Sequence, residues 1–435
     1  MDQQRPRVVI VGGGFGGLWA ARVLANAPVE VVLVDRNNYH TFLPLLYQVA
    51  AAELSPAEIA QPIRHILRGI PNARFLMAEV QNIEFEQRVV YADGLGITYD
   101  YLLLAMGSSV HFFDVPGASS YAFPLRTMEQ AIALRNHILR CFERAAYEED
   151  AARRRQLLTF SIVGGGPTGV EFAGALAELI HGPLRKDYPH LEPNEVRVVL
   201  LEATDNLFPA MPEGLRTYAT NRLRTMGVEV WLRAAVSEVT PQAVHLKNGI
   251  SVSTETVVWT AGVQGASLAQ TWGLPTERGR VAVLPTLQLA AYPQVYVVGD
   301  LAHLEQGGRL LPMLAPVAMQ QGVAAAKNIG RQIAGRAPEP FRYQDRGTMA
   351  TIGRNTAIVL VGGRQFTGFV AWIIWLAVHL YKLIGFRNRL VVLIQWAWDY
   401  LFYERAVRLI LPSRHTGRAR EVPTLALEIE RLVEG

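Results

Sequence analysis

The feature that most constrains the fold of this 435-residue chain is a glycine-rich loop that occurs twice. The first loop runs from Gly12 to Gly17 and the second from Gly164 to Gly169. Each follows a short apolar run that is typical of a buried strand, and each leads into a helix pattern. In a strand–loop–helix unit, such glycines allow a tight turn and let the backbone approach a pyrophosphate at the positive end of the helix. The sequence therefore predicts two dinucleotide-binding units of the βαβ type.

An acidic residue closes each of these units. Asp35 follows the apolar run 31–34, and Glu202 follows the run 196–201. A carboxylate at the end of the second strand can accept hydrogen bonds from ribose hydroxyls. Glu202 lies farther from its loop than the usual ~20 residues, and we interpret the charged segment 181–195 as an insertion. Because a carboxylate would repel a 2′-phosphate, Glu202 favours NADH over NADPH.

A late Gly-Asp pair indicates which loop binds which nucleotide. Gly299 and Asp300 follow the apolar run 295–298. With the two loops before it, this order resembles the two-dinucleotide-binding flavoproteins, in which the first loop and the late Gly-Asp hold FAD and the middle unit holds a nicotinamide nucleotide. The resemblance implies an α/β fold with two Rossmann-like domains, the FAD domain being split by an inserted NADH domain. The expected divisions are FAD-binding residues 1–127, NADH-binding residues 128–285, FAD-binding residues 286–345 and a C-terminal helical membrane-anchoring region, 346–435.

A strand pattern that ends in glycine also recurs, at Gly107 in the first unit and at Gly262 in the second. Its repetition at equivalent places supports duplication of one fold. The resemblance implies that FAD contacts Gly12, Gly14, Phe15, Gly17, Asp35, Arg36, Gly107, Gly299, Asp300 and Gln320. The residues expected to contact NADH are Gly164, Gly166, Gly169, Glu202 and Gly262.

The chain has a single cysteine, Cys141, which lies within a helix pattern. Flavoenzymes that work through a dithiol, such as those like glutathione reductase or sulfide:quinone oxidoreductase, are therefore excluded. A packed, unreactive Cys141 is favoured over a peroxidatic thiol, so the flavin is expected to act without a thiol. The ten histidines show no metal-ligand spacing, and neither a metal ion nor a nucleic acid is an expected partner.

The C-terminal part of the chain contains two apolar stretches, 369–378 and 390–402. Ten helical residues extend ~15 Å, half of a ~30 Å hydrocarbon core, so the first stretch is too short to span a bilayer. Tryptophans beside basic residues suit helices that lie in an anionic membrane surface, and a buried dimer or domain interface is the alternative. The basic residues are Lys382, Arg387, Arg389, Arg405, Arg408, Arg414, Arg418 and Arg420. Because the first strand begins close to the amino terminus, we expect no targeting segment and catalytic domains that face the cytoplasm.

Further motifs make the resemblance more specific. They cover residues 38–50, 62–64, 315–322, 349–354 and 383–389. With these motifs the chain resembles the type II NADH dehydrogenases, which are single-subunit NADH:quinone oxidoreductases that pump no protons. The resemblance implies hydride transfer from NADH to non-covalently bound FAD, and then two-electron reduction of a membrane quinone. It also implies a peripheral, monotopic enzyme on the cytoplasmic face of a cell or thylakoid membrane, with a homodimer through the C-terminal region as a further expectation.

The resemblance also assigns catalytic residues. Glu171 matches a family glutamate near flavin and nicotinamide, and an acid stabilised by the helix N-terminus is the alternative interpretation. The family motif Ala-Gln-x-x-x-Gln reads Ala315-Pro316 and then Gln320 here, so Pro316 replaces the first glutamine. Glu171 and Gln320 are the expected catalytic residues, while Glu171, His40 and solvent are all candidate proton sources. The residues expected around the quinone are Pro44, Leu45, Pro316, Gln320, Gln321 and Met349.

Other protein classes share the two-nucleotide architecture. A soluble NAD(P)H:ferredoxin-type reductase or an NADH oxidase would have no use for the tryptophan-rich, basic C-terminal region. A reductase of demethylated naphthoquinones belongs to the same family and differs in its quinone. A protein like apoptosis-inducing factor would bind FAD and NADH mainly to switch its association state.

Overall fold

Two parallel sheets form the centre of the protein, whose computed structural model describes residues 5–266, 271–402, 405 and 407–411. In spatial order the first sheet contains Val295–Val297, Tyr101–Leu104, Arg7–Val11, Glu30–Asp35 and Ala73–Met77. The second sheet contains Phe123–Pro124, Thr256–Trp259, Thr159–Val163, Arg197–Leu201 and Val228–Trp231. The predicted α/β fold class is confirmed. The predicted domain boundaries after residues 127, 285 and 345 stay predictions.

Apolar, largely β-branched residues explain why these strands form and where they lie. Val8, Val9 and Ile10 are completely buried, and every residue of the strand Thr159–Val163 is buried. Such continuous apolar runs suit parallel strands that are covered on both faces. The strand before each glycine-rich loop is the middle strand of its sheet, so each loop opens at the carboxyl end of a central strand.

One helix follows each loop, and both βαβ units have the predicted order. We call Phe15–Val23 the first loop helix and Pro167–Leu179 the second loop helix. The helix Ala315–Ile333 packs against the first loop helix, and a Cβ added at Gly322 would lie 2.2 Å from the Gly16 carbonyl oxygen. This close approach holds the chain that follows Asp300 against the first βαβ unit.

Smaller elements surround the two sheets. Antiparallel sheets are formed by Val80–Glu84, Val89–Ala92 and Leu95–Thr98, by Val236–Val239, Ala243–Leu246 and Ser251–Ser253, and by Thr348–Thr351, Ala357–Val361 and Arg364–Thr367. Shorter strands are Tyr39–Thr41, Ala60–Pro62, Ser108–Val110, Val263–Gly265, Thr276–Glu277, Arg280–Ala282, Ala302–His303, Glu305–Gln306 and Arg309–Leu310. Further helices are Leu46–Ala50, Pro56–Ile59, Ile63–Leu67, Ala118–Tyr121, Met128–Ala145, Ala151–Leu157, Arg185–Asp187 and Glu213–Thr225. The segment interpreted as an insertion begins in the π-helical turn Ile180–Leu184.

Two helices follow the sheet that begins at Thr348. The first C-terminal helix is Gly368–Lys382 and the second is Phe386–Phe402, and each contains one of the two predicted apolar stretches. Their inner side buries Ala371, Trp375 and Val392. Over the part of the chain that the structure describes, every helix is too short or too polar to cross a membrane.

Candidate active site

The first glycine-rich loop forms an open cradle in front of the first loop helix. Gly12 has φ = +108°, and a Cβ added there would lie 2.4 Å from the carbonyl oxygen of Ala105. A Cβ at Gly17 would lie 2.0 Å from the carbonyl oxygen of Gly12, so strand and helix are too close for a side chain. An added Cβ at Gly14 meets no described atom within 4 Å, and the backbone there faces open space. The cradle therefore fits a pyrophosphate, which needs close access to backbone N–H groups at a helix start.

The second loop has the same geometry. Gly164 has φ = +114°, and a Cβ at Gly169 would lie 1.9 Å from the Gly164 carbonyl oxygen. The position equivalent to Gly14 is Gly166, where an added Cβ again meets no described atom within 4 Å. Two matching cradles in one chain support two dinucleotides, one at each loop.

The acidic residue that closes each unit fixes the loop beside it. Asp35 accepts hydrogen bonds from the backbone N–H groups of Gly13 (2.6 Å) and Asn37 (2.7 Å). Glu202 accepts the equivalent bonds from Gly165 (2.6 Å) and Thr204 (2.8 Å). Each carboxylate oxygen retains a second lone pair for a ribose hydroxyl. The sequence indicated the ribose contact, but it did not indicate this loop-fixing role.

The Gly-Asp pair lies beside a charged cluster that the sequence did not indicate. Asp300 forms an ion pair with Arg126 and accepts a hydrogen bond of 2.7 Å from the Ser108 hydroxyl. Gly299 has φ = +74° and donates its N–H to the side-chain oxygen of Gln321 at 2.7 Å. Arg126 follows Leu125 in a loop between the two predicted domains, and no sequence motif distinguishes it.

Two buried side chains next to the first cradle keep an unpaired polar atom. Gln321 is fully buried, and its Nε2 has no partner among the described residues. His40 donates from Nδ1 to the Gly13 carbonyl oxygen (3.0 Å), while its Nε2 has no partner in the described chain. Burial lowers the pKa of His40 to about 4, so its ring is neutral near pH 7 and it is not a proton source there. The orphaned His40 Nε2 and the open Gly14 backbone fit the polar groups of FAD.

The remaining predicted nucleotide contacts differ in environment. Phe15 is buried, and its ring packs edge-on against His40 with centroids 4.9 Å apart. Arg36 is exposed at the surface. Gly107 and Gly262 both have positive φ, and a Cβ at Gly262 would lie 2.3 Å from the carbonyl oxygen of His111. Both glycines therefore belong to tight turns at the ends of matching strands.

Glu171 lies in the second turn of its helix, beyond the first turn where the helix N-terminus acts most strongly. Its carboxylate accepts a hydrogen bond from the Thr351 N–H at 3.2 Å. Burial raises the pKa of Glu171 to about 8, and the Thr351 N–H only partly offsets this effect. Stabilisation of the charged form by the helix N-terminus is therefore not what determines its state, and Glu171 holds a proton near pH 7.

The residues predicted around the quinone differ in environment, and Pro44 and Met349 are half-buried. Leu45 and Gln321 are completely buried, and Pro316 occupies the first turn of the helix Ala315–Ile333, where its missing N–H leaves no helix bond unmade. Both side-chain amide atoms of Gln320 are engaged by the Gln344 backbone, at 2.9 and 3.0 Å. The predicted quinone contact of Gln320 thus competes with two existing hydrogen bonds, whereas Gln321 still has a free donor.

A pocket of about 730 Å³, including its part open to solvent, lies between the second loop helix and the two C-terminal helices. We call it the acidic pocket because four carboxylates line it, those of Glu53, Glu171, Glu178 and Asp399. Aromatic side chains complete its wall: Tyr47, Trp372, Trp375, Trp396 and Tyr400. None of the six residues predicted around the quinone lines it.

Arg405 was predicted among the basic residues at a membrane surface, and this prediction is wrong. Its guanidinium is buried at the acidic pocket and forms ion pairs with Glu53 and Glu178. It also donates to the carbonyl oxygens of Ala51 (2.9 Å) and Ala175 (2.7 Å). A guanidinium has five donors in a fixed fork, which suits this set of two carboxylates and two carbonyls. Arg414, Arg418 and Arg420 lie outside the described residues.

Cys141 is completely buried in the helix Met128–Ala145, with its Sγ 3.5 Å from His137 Nε2. This position agrees with a packed thiol. Among the described residues, no group of three or more His, Cys, Asp or Glu side chains is arranged to hold a metal ion.

Comparison with known proteins agrees with this geometry. Residues 6–322 match the model of the pyridine nucleotide-disulphide oxidoreductase family, and residues 346–404 match the NDH2 C-terminal domain. The type II NADH:quinone oxidoreductase Ndh of Mycobacterium tuberculosis is 38% identical over 445 residues, which cover 98% of this chain and 95% of that protein. The type II NADH:quinone oxidoreductase of Staphylococcus aureus is 30% identical over 383 residues, or 85% of this chain and 92% of that protein.

A comparison with solved structures finds a similar fold. The solved structure of NDH2 from Plasmodium falciparum in complex with NADH matches with a TM-score of 0.85 over 94% of this chain and 100% of that chain, at 18% identity. The chain therefore belongs to the type II NADH:quinone oxidoreductase family, which confirms the predicted activity and the predicted use of FAD and NADH.

Proposed function

We propose that the first loop and the Gly299-Asp300 turn hold FAD, and that the second loop and Glu202 hold NADH. The observation that supports this most is the pair of matching cradles, each with a carboxylate bonded to its loop. FAD, when bound, supplies a carrier that accepts a hydride and can then pass two electrons to a quinone. The protein's part is to hold the two nucleotides and the quinone in register, since placement accounts for most of such catalysis.

Around the quinone we propose Pro44, Leu45, Pro316, Gln321 and Met349 as lining residues. Of the two glutamines that the sequence offers as donors to a quinone carbonyl, Gln320 and Gln321, we favour Gln321, because its buried Nε2 has no partner among the described residues. Pro316 offers only an apolar surface. We assign the proton donor to Glu171, whose carboxylate lines the acidic pocket beside Thr351 and whose pKa burial raises to about 8. The family membership favours this function over the ferredoxin-reductase, oxidase and sensor alternatives.

Replacement of Glu202 should relax the choice of nicotinamide nucleotide. Glu202→Gln removes the negative charge while it keeps one side-chain oxygen for the loop, so repulsion of a 2′-phosphate disappears. We expect kcat/KM for NADH to fall about tenfold and kcat/KM for NADPH to rise, since hydrogen bonds to charged groups are worth about 1.5–3 kcal/mol. Steady-state kinetics with both nucleotides measure the ratio.

Asp35→Asn is the matched control for this change. It alters the equivalent carboxylate at the first loop, which has the same two backbone bonds. We expect it to weaken flavin retention without changing the NADH to NADPH ratio. If Glu202→Gln and the wild type had the same ratio of kcat/KM for NADH to kcat/KM for NADPH, the assignment of NADH to the second loop would be contradicted.

We further propose that the two C-terminal helices lie in the surface of an anionic membrane, on its cytoplasmic face. Their outer side exposes large apolar side chains, which are Phe369, Val370, Ile373, Tyr381, Phe386, Leu390, Leu393, Ile394, Trp398, Leu401 and Phe402. An apolar surface of this kind on one side of two helices suits burial among acyl chains. Arg387 is exposed and Lys382 is half-buried beside it, where both can approach anionic headgroups.

Charged substitutions on this surface should release the protein from lipid. Ile373 and Ile394 are 46% and 57% exposed, and burial of such side chains contributes about 1.5–3 kcal/mol each. We expect the double variant Ile373→Glu, Ile394→Glu to bind anionic liposomes at least ~10-fold more weakly than the wild type in flotation assays. Leu95 is 53% exposed and lies in the strand Leu95–Thr98, away from these helices, so Leu95→Glu should bind like the wild type. If the double variant instead binds liposomes normally but loses a dimer, the surface is a homodimer interface.

A further inference from the structure

The acidic pocket contains titratable side chains that the proposed function does not use. Only Glu171 has a role so far, yet Glu53, Glu178 and Asp399 line the same space. Buried carboxylates are rare unless they are paired or functional. Arg405 pairs with Glu53 and Glu178, whereas Asp399 accepts a hydrogen bond from the Gln395 amide, at 3.0 Å.

We propose that Glu53, through water in the acidic pocket, carries to Glu171 the solvent proton that each quinone reduction consumes, and that Glu178, whose two oxygens are held by Arg354 and Arg405, takes no part. The proposal rests on the proposed function. NADH delivers two electrons and one hydrogen nucleus as a hydride, and a quinol contains two added hydrogens, so one proton per turnover comes from solvent. The Glu171 O–H bond breaks as a new O–H bond forms on a quinone oxygen, and Glu171 then regains a proton through the pocket.

The carboxylates of the pocket differ in their exposure to solvent. Glu171 is 9% exposed, the Glu53 side chain is 15% exposed, and Asp399 is half-buried near Tyr400, which is at the surface. A buried acid that must be reprotonated needs such a connection to water. The pocket has room for several water molecules.

Polar atoms line the route between Glu171 and Glu53. Glu53 binds Arg405 through Oε1, and its Oε2 forms no hydrogen bond within the described chain. Tyr47 accepts a bond from Gln48 (3.1 Å), and its hydroxyl lies 2.9 Å from Thr351 Oγ1. Trp375 is buried in the pocket wall, and its indole N–H acts on the Glu171 carboxylate as a donor that favours the charged form.

The acidities along the pocket suit proton transfer near neutral pH. Burial raises the pKa of Glu171 to about 8, that of Glu53 to about 7 and that of Asp399 to about 6. Arg405 partly offsets the burial effect for Glu53 and Asp399, and the charges of Glu178 and Asp399 add to it for Glu53. Each group can thus exist in both protonation states at physiological pH, which proton transfer requires.

The charged and titratable groups that face these carboxylates come from every neighbouring element. They are Tyr47 and Glu58 from the N-terminal part, Glu178 from the second loop helix, Arg354 after the strand Thr348–Thr351, His379 behind Trp375, and Arg405. Burial lowers the pKa of His379 to about 4, and burial with the charges of Glu171 and Glu53 raises that of Tyr47. His379 therefore stays neutral and Tyr47 stays protonated, so the carboxylates are the groups that titrate.

Glu53→Gln tests the relay, with Glu178→Gln as the matched control. Both changes remove one carboxylate partner of Arg405, but both oxygens of Glu178 are already engaged, by the Arg354 N–H and by Arg405. We expect Glu53→Gln to lower quinone turnover about tenfold or more, Glu53→Asp to restore most of it, and Glu178→Gln to change it by less than about twofold. In the wild type, quinone turnover should begin to fall as pH rises through about 7, where Glu53 loses its proton, and Glu53→Gln should show only the later fall near pH 8 that Glu171 causes.

Two further measurements separate this proposal from the proposed function. NADH:ferricyanide turnover, which consumes no proton at the acceptor, should be unchanged in Glu53→Gln. Infrared difference spectra with pH, taken without substrate, should lose a protonated-carboxyl band in the variant. Normal quinone turnover in Glu53→Gln, or equal losses in Glu53→Gln and Glu178→Gln, would overturn the relay. Failure of the wild type to reduce either acceptor with NADH would overturn the proposed function instead.

Discussion

Gly169→Ala is expected to give a protein that keeps its flavin but no longer reacts with NADH. The added Cβ would lie 1.9 Å from the backbone oxygen of Gly164, and a backbone atom cannot rotate away. The second loop helix must therefore shift from its strand and open the cradle. A displacement of about 1 Å can lower a rate ~10²-fold, and we expect NADH to bleach the flavin at least ~100-fold more slowly than in the wild type. Anaerobic stopped-flow absorbance measures this rate.

Gly17→Ala is the control with a nearly identical clash, 2.0 Å from the carbonyl oxygen of Gly12. Because the two variants disturb equivalent loops equally, a general loss of stability should affect both alike. We expect Gly17→Ala to be purified without flavin, as judged by the absorbance ratio of flavin to protein. Flavin loss in Gly169→Ala together with flavin retention in Gly17→Ala would reverse the assignment of the loops.

Glu171→Gln should slow the quinone half-reaction and spare the NADH half-reaction. The amide keeps the shape and can still accept from the Thr351 N–H, but it has no acidic proton to give. General acid catalysis contributes about 10²–10⁴-fold, so flavin reoxidation by a short-chain quinone should slow by that range. In the wild type this step should itself slow as pH rises through about 8, where Glu171 loses its proton. Reoxidation that is equally fast in the variant would remove Glu171 from proton transfer.

The same substitution should stabilise the fold at higher pH. The pKa of Glu171 is about 8 in the folded protein and near its usual 4.5 in the unfolded chain. As pH rises between these values, only the unfolded chain releases the proton, so the free energy of unfolding decreases. The free energy of unfolding of Glu171→Gln does not decrease in this way. Its stability advantage over the wild type in urea unfolding should therefore grow between about pH 5 and pH 8.

Local patterns in the sequence were sufficient for the two βαβ units. Glycine spacing, apolar strands and a closing acid are short-range signals, and Gly12, Asp35, Gly164 and Glu202 lie in the predicted places. The backbone bonds of Asp35 and Glu202 repeat so closely because the same turn geometry demands them. The C-terminal helices were also predictable, since stretch 369–378 is entirely apolar and stretch 390–402 is interrupted only by Gln395 and Asp399.

Contacts between distant segments were not predictable. Arg405 has the appearance of a surface charge in a basic tail, yet it is buried against Glu53 and Glu178, which lie more than two hundred residues earlier in the chain. The ion pair of Arg126 with Asp300 has the same character. The two hydrogen bonds between the Gln320 side chain and the Gln344 backbone depend on the conformation of a loop, which a sequence motif does not reveal. Such contacts arise from tertiary packing, which leaves no periodic trace in a single sequence.

The most direct test of the central claim is anaerobic double mixing of the purified wild-type protein. NADH is added first and a short-chain quinone second, while the flavin absorbance is followed. We predict bleaching by NADH and then rapid recovery of the absorbance with quinone, at rates that together account for steady-state turnover. Bleaching without recovery, or a protein that binds no flavin, would contradict the account.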